Sequence, residues 1–380
     1  MLRRLCCLCT IFVFCVERMK RVMACTHVSD TMVFLNHKVF VDNIYSLNKF
    51  FDENIEKAFV KTDLFCIAQP YDRKFGTSEH NFGEPKPKKR KKAENVDETT
   101  AKVQRNHARF LQIMERFEVT NDTQNSKALE LVNDFNKQDC YEPNTTFKGA
   151  NPSNFAVICK FFNQSYLIPP HCRFFNSDIS NLENLLDHNE RFDLIVLDPP
   201  WWNKYIRRTK AVNGKIGYNM LDNESIENIP LENYIHNDSI VIIWCTNAPT
   251  HMNAIKGKFL KKWKLRLLCK WFWVKITTNG EPVCSFKESN KKQPYEQIFV
   301  ATSENNAKWN LPPERFIYSV PSAFHSNKPP LIDLFSDLLP EHPKCLEIFA
   351  RNTYPNFTSI GSEVLKLQNA KLFEILESIR

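Results

Sequence analysis

Glycine is scarce in this 380-residue chain, with eight residues against 21 prolines. No G-x-G-x-x-G and no G-x-x-x-x-G-K-[ST] string occurs, which disfavours a standard dinucleotide fold and a P-loop. Long apolar runs are missing as well. The run from Leu5 to Val16 has twelve residues, too few to span a bilayer. It follows Arg3 and Arg4, but no A-x-A site precedes Arg18-Met19-Lys20-Arg21, as a secretory signal would need. Its lack of acids before Glu17 suits an organellar presequence. The thirteen cysteines form no Cys/His cluster at zinc spacing, so no metal site is expected. They read as mostly reduced, buried thiols of an intracellular protein.

What is present is a core. Hydrophobic residues make up 43% and aromatics 12%, including 30 Phe, which excludes a wholly disordered chain. The net charge is 51 − 43 = +8, and six of those charges lie in Pro85-Lys86-Pro87-Lys88-Lys89-Arg90-Lys91-Lys92. An exposed basic run of this kind suits a nuclear-import carrier, the alternative being a solvated linker or a nucleic-acid tether. The expected organisation is a tail or targeting segment over 1–30 and a small β-rich N-terminal region over 31–75. A basic linker follows over 76–100, then a helical connecting segment over 101–148 and the main domain over 149–380. Met32–Leu35 and Val39–Val41 are the candidate strands of the N-terminal region. The expected localisation is the nucleus, with a cytoplasmic or mitochondrial pool left open.

From about Gly149 the pattern is α/β. Phe192–Leu197 is a continuous apolar strand, and Ser239–Cys245, Leu265–Ile276, Tyr295–Thr302 and Cys345–Phe349 supply others. Helices are expected from Pro249 to about Trp263 and from Pro329 to Leu339. This rhythm predicts a mostly parallel sheet with helices on both faces. Ligands then bind outside the carboxyl ends of the strands, where Asp198 and the residues after Phe349 should lie.

Asp198-Pro199-Pro200-Trp201 directly follows the first of these strands. Two successive prolines fix φ and remove two donors, presenting the Asp198 and Pro199 carbonyls in a rigid arc. A carboxylate and a rigid carbonyl are two acceptors suited to one –NH2, and an adjacent aromatic plane can stack on the ring that carries it. Such bonding orients the amine lone pair toward an incoming methyl group. The alternative is a proline-stiffened strand exit with Trp201 in the core.

These residues resemble the DPPW-type adenosine-N6 methyltransferases, in particular the methyltransferase-like four branch. The resemblance runs from about Phe174 to Glu363. It includes Trp271-Phe272-Trp273-Val274-Lys275-Ile276-Thr277, Lys291-Lys292-Gln293-Pro294-Tyr295-Glu296, His325-Ser326-Asn327-Lys328-Pro329-Pro330 and Leu346-Glu347-Ile348-Phe349-Ala350-Arg351-Asn352. It implies a Rossmann-like, circularly permuted S-adenosylmethionine-dependent methyltransferase sheet, plus the smaller N-terminal region. By resemblance, Asp198 with Pro199 and Pro200 binds the target amine and Trp201 shapes the base pocket. Asp178, Ile179, Lys328, Glu347, Phe349, Arg351 and Asn352 hold the cofactor, with Lys328 on its methionine carboxylate. Asn203, Lys204, Arg207, Arg208, Tyr218, Lys275 and Glu296 face the substrate. The sequence departs from the pattern at Trp202, Asn327, Phe357, Ile360 and Ser362.

Charge supports a nucleic-acid partner independently. No acid lies between Asp198 and Asp222, nor between Asp238 and Glu281, while lysines and arginines recur in both stretches. An adenine inside a duplex hides its amine, so the target is a single strand or a flipped base. The expected activity is S-adenosylmethionine-dependent methylation of the N6 amine of adenine, with RNA first (nuclear small RNA by resemblance) and DNA second. The alternatives are a catalytically inactive nucleic-acid-binding subunit and small-molecule methylation. A monomer is expected, a partner subunit being the other arrangement.

Overall fold

Continuous apolar runs broken by Asn, Pro and Lys turns dictate a sheet buried on both faces. The computed structural model describes residues 23–72, 97–114, 125–138, 145–202, 220–287 and 292–378. Its strands are, in chain order, β1 (Cys25–Ser29), β2 (Met32–Leu35), β3 (Ile55–Val60), β4 (Phe147–Asn151), β5 (Val157–Phe161), β6 (Gln164–Ile168), β7 (Cys172–Asn176) and β8 (Phe192–Leu197). There follow β9 (Ile235–Cys245), β10 (Leu265–Lys275), β11 (Tyr295–Ser303), β12 (Phe316–Ser319), β13 (Cys345–Ile348), β14 (Phe357–Gly361) and β15 (Phe373–Glu377). Among the described residues, eleven of them form one sheet in the order β1-β2-β12-β10-β11-β9-β8-β13-β14-β7-β4.

The sheet is mostly parallel, as expected, with antiparallel pairs mixed in. β9, β8, β13, β14 and β7 run parallel to one another, whereas β11 is antiparallel to both β9 and β10. The reversal has a consequence for the site. The first residues of β11 lie at the same edge as the last residues of β8, β9 and β10.

Helices cover both faces, as expected. α1 (His37–Leu47) and α3 (Ser126–Gln138) add Ile44, Tyr45 and Phe135 to a core that contains Trp244, Trp271 and Trp273. On the other face α2 (Glu98–Ile113) packs Val103 and Phe110 against Phe272 and Tyr318. α4 (Pro249–Ala254) runs through a π turn, Ile255–Phe259, into Leu260–Lys262, and its Ile255 and Phe259 are fully buried.

Three expectations change. Val39–Val41 is not a strand but part of α1, because Asn36 caps the segment by accepting from the Val39 N–H at 3.1 Å. The 31–75 region is not a separate β unit: β2 joins the main sheet beside β12, and β3 pairs with the carboxyl-terminal β15. The helix expected over 329–339 is only a 3-10 turn, Ile332–Phe335.

Gly361 lies where β14 passes the exits of its two neighbours. Its carbonyl accepts from Ser177 N at 3.2 Å beyond β7, and the Ala350 N–H beyond β13 bonds Ile360 O at 2.9 Å. A Cβ at 361 would collide with the Ala350 carbonyl oxygen and meet its nitrogen at 2.9 Å. Backbone cannot move aside as a flexible side chain can. Gly361→Ala should therefore cost about 1–3 kcal/mol, seen as a lowered Tm in thermal melts, and should weaken any ligand held by the β7 and β13 exits.

Candidate active site

Asp198 is the first residue after β8, which alternates Leu194 and Val196 toward the α1 face and Ile195 and Leu197 toward the α4 face. That alternation sends the Asp198 side chain to the α1 side of the sheet, at the edge where β8 ends. Its Oδ2 lies 3.1 Å from Lys328 Nζ and accepts a hydrogen bond of 3.0 Å from Ser326 Oγ. Lys328 also lies 3.1 Å from Glu296 Oε2 and donates to Ser326 Oγ at 2.8 Å. The other oxygen of Glu296 pairs with Lys275. The result is a line of alternating charge, Asp198, Lys328, Glu296, Lys275, supplied by β8, a loop, β11 and β10. All four side chains are largely shielded from water.

Burial acts first on each group, and the neighbours decide the outcome. Glu296, against its desolvation, is held down to about 2 by Lys275 and Lys328. Lys328 keeps its proton beyond the ordinary lysine range: burial opposes the charge, but Asp198 and Glu296 outweigh it. Asp198 moves the other way. Its burial raises the carboxyl despite Lys328 and Ser326, so it is a better proton acceptor than an exposed aspartate. The described contacts fall on Oδ2, and the next residue in the chain supplies the Pro199 carbonyl. That carbonyl accepts from the Trp201 N–H at 2.8 Å and retains its second lone pair.

The exit of β13 carries a second group. Glu347 is pushed up to about 8 by burial and by Asp198, and its Oε2 is buried without a hydrogen-bond partner. Two residues on, Phe349 has φ 68°, a left-handed conformation that a bulky residue rarely adopts. Arg351 donates from Nε to Glu363 Oε2 at 3.0 Å and from Nη1 to the His325 carbonyl. It therefore braces the loop that carries Ser326 and Lys328. Asn352 donates to the Tyr354 hydroxyl. At the β7 exit Asp178 is exposed and accepts from Ser180 N at 2.9 Å, while Ile179 is half-buried.

Two assignments change. Trp201 is not an open plane for a base. It is 6% exposed, donates to the Trp244 carbonyl at 3.0 Å, and its ring meets His251 at 4.7 Å and lies parallel to Phe259 at 6.2 Å. Lys328 does not stand free for a ligand carboxylate, because its ammonium is directed to Asp198, Glu296 and Ser326. Asn203, Lys204, Arg207, Arg208 and Tyr218 lie outside the described residues, as does the basic run 85–92. Beside the motif, Trp202 N bonds Leu221 O at 3.0 Å.

The second acid-free stretch is not one track. Lys275 faces Glu296 and the charged line, Lys270 sits over Phe272 on the opposite face, Lys262 pairs with Glu232, and Arg266 is tied to the Asn306 and Trp309 carbonyls. Nothing in the sequence pattern assigns a role to Ser326 or Glu363. The serine lies inside the His325–Pro330 string, but its φ of 58° is not legible there.

Glu347 gives a pH test. Its folded pKa lies above the unfolded value, so its stabilisation is complete below about 4.5 and is lost as pH rises toward about 8. Glu347→Gln should raise Tm over wild type at pH 8 and leave it nearly unchanged at pH 4.5, by thermal melts of the ligand-free protein.

A family model described as MT-A70 matches residues 192–363, the span from β8 to just beyond β14. The N(6)-adenine-specific methyltransferase METTL4 of Mus musculus is 35% identical over 238 residues, 60% of this chain and 49% of its own length. A DNA N6-methyl methyltransferase of Caenorhabditis elegans is 32% identical over 210 residues, 55% of each chain. The N6-methyladenosine RNA methyltransferase MTA1 of Pyricularia oryzae is 32% identical over 225 residues, 56% of this chain and 58% of its own. The chain thus spans about half the length of the curated relatives it matches. The matched span contains Asp198, Lys275, Glu296, Lys328, Glu347 and Arg351, so the sheet edge that carries the charged line lies within the region similar to the MT-A70 model.

Proposed function

We propose that this protein transfers a methyl group from S-adenosylmethionine to the N6 amine of adenine in nucleic acid, with RNA as the first substrate and DNA as the second. The observation that carries the reading is the Asp198 carboxyl, with Oδ2 held by Lys328 and Ser326 and the described contacts falling on that oxygen alone, followed in the chain by a rigid proline carbonyl. Two fixed acceptors match the two hydrogens of an exocyclic amine. Relatives named for adenine methylation in DNA and in RNA support the reaction without choosing between the polymers. The basic run 85–92 supports a nuclear protein.

The residues present fit the cofactor. Glu347 presents a buried, unpartnered carboxyl oxygen beside Asp198, and at neutral pH it is largely protonated, so it can both donate to and accept from a ribose hydroxyl. Asp178, Ile179, Phe349 and Asn352 lie on the neighbouring strand exits and would hold the rest of the molecule. S-adenosylmethionine supplies an electrophilic sulfonium methyl when bound. The protein's own part is to hold the amine in line with it and to orient the nitrogen lone pair. Asp198 and the Pro199 carbonyl accept the two N–H bonds. Ser326 and Lys328 fix the carboxyl plane. The raised basicity of Asp198 suits it to take the proton that the amine loses after transfer.

Trp201→Ala is a poor test because it removes a core filler. Asp198→Asn is the informative one. It turns one acceptor into a donor facing the amine, so turnover should fall by about 100-fold or more, with circular dichroism and Tm close to wild type. The wild-type rate should rise with pH through the raised Asp198 pKa, and this limb should vanish in the variant. Labelled cofactor with matched RNA and DNA oligonucleotides, digested to nucleosides for mass spectrometry, measures both. Near-normal turnover by Asp198→Asn would sink the assignment, whereas a wild type that binds oligonucleotides and methylates none would indicate an inactive binding subunit.

A further inference from the structure

β5 and β6 form a hairpin of their own, packed against β4 and β7 and closed by the two residues Phe162 and Asn163. Both have positive φ, 46° and 58°, as a two-residue primed turn requires. Asn or Gly normally fills such positions, since a bulky side chain in the left-handed region is strained. Here the first position is Phe, and its side chain is not packed away: Phe162 is 55% exposed.

Phe162 is not alone. Its ring lies 4.3 Å from that of Phe161 and 6.2 Å from that of Phe147, and Phe147 and Phe161 meet edge-on at 4.5 Å. Lys148 and Lys160 adjoin Phe147 and Phe161 in the chain at the same end of the two strands; both are exposed, and neither is ion-paired among the described residues. Between Glu142 and Asp178 the sequence contains no acid at all. The register places this cluster. Phe147 pairs with Asn176, the last residue of β7, so the hairpin tip stands at the same edge of the sheet as Asp198. From β8 to β4 there are four strand spacings of about 4.8 Å, roughly 19 Å.

We propose that the hairpin tip is a stacking platform for bases of the substrate single strand that flank the target adenine, with Phe162 as its outer ring and Lys148 and Lys160 meeting the phosphates. An exposed aromatic ring backed by two half-buried ones, with lysines and no acid nearby in the chain, is what a single strand engages without regard to sequence. A turn residue that favours neither the local backbone nor burial is accounted for by contact with a flat, apolar ligand face. The inference rests on the nucleic-acid reading of the Asp198 site and names how that site holds a longer strand.

Phe162→Asn separates stacking from folding, because Asn tolerates the left-handed turn better than Phe does. The full chain is titrated by fluorescence anisotropy with single-stranded RNA and DNA oligonucleotides of about a dozen nucleotides, a length within the range one such groove covers. F162N should keep or raise Tm and weaken binding about five- to 150-fold, the loss of one stacked base. F162Y should restore it. Methylation of an adenine-centred trinucleotide, too short to reach the tip, should be equal in F162N and wild type. Unchanged affinity of a folded F162N would overturn the platform and leave the hairpin to a different partner. Weakened binding with no methylation by wild type would keep the platform and overturn the methyl-transfer reading instead.

Discussion

A lysine ammonium buried between two carboxylates governs this structure. Lys328 alone would be costly to desolvate, and so would Asp198 or Glu296, but together they compensate one another. The arrangement holds only if a loop and the ends of β8, β10 and β11 stay at one place. Removing Lys328 would leave two buried carboxylates without the cation they share. The same line of charge gives the site its asymmetry. The described contacts of Lys328 and Ser326 fall on a single oxygen of Asp198.

The mixed sheet makes this possible. In a wholly parallel sheet Glu296 would begin its strand at the opposite edge, far from Asp198. With β11 reversed between β9 and β10, a residue near the start of one strand meets the ends of its neighbours. Glycine-rich phosphate loops are absent for a related reason. The ligand-facing edge is built from proline, from a strained Phe349 and from side-chain carboxyls, and close backbone approach is needed at Gly361, between the β7 and β13 exits. Arg351 then works within the protein, tying Glu363 to the loop that carries Lys328.

Much of the sheet edge that carries Asp198 is legible in the order of residues alone. Phe192–Leu197 has no competing interpretation, because six largely apolar residues ending at two prolines form a strand and then stop. The position of Asp198 at a strand exit follows directly. Val39–Val41 is ambiguous, because a short apolar run looks alike in a strand and in a helix, and the Asn36 cap decides for the helix. Trp201 is the harder case. An aromatic beside a catalytic carboxylate suits either a base or the core, and the hydrogen bond to the Trp244 carbonyl, 43 residues away, selects the core.

The sequence by itself determined the strand runs, the proline-stiffened carboxylate, the acid-free stretches and the residue types of the edge, because these are properties of neighbours along the chain. Only the tertiary structure decided which charges face one another. Lys328 and Asp198 are 130 residues apart, and Glu296 and Lys275 reach them only because β11 runs against its neighbours. Ion pairing depends on distance and on exclusion from water. Both are set when the sheet closes, and neither is written in local order.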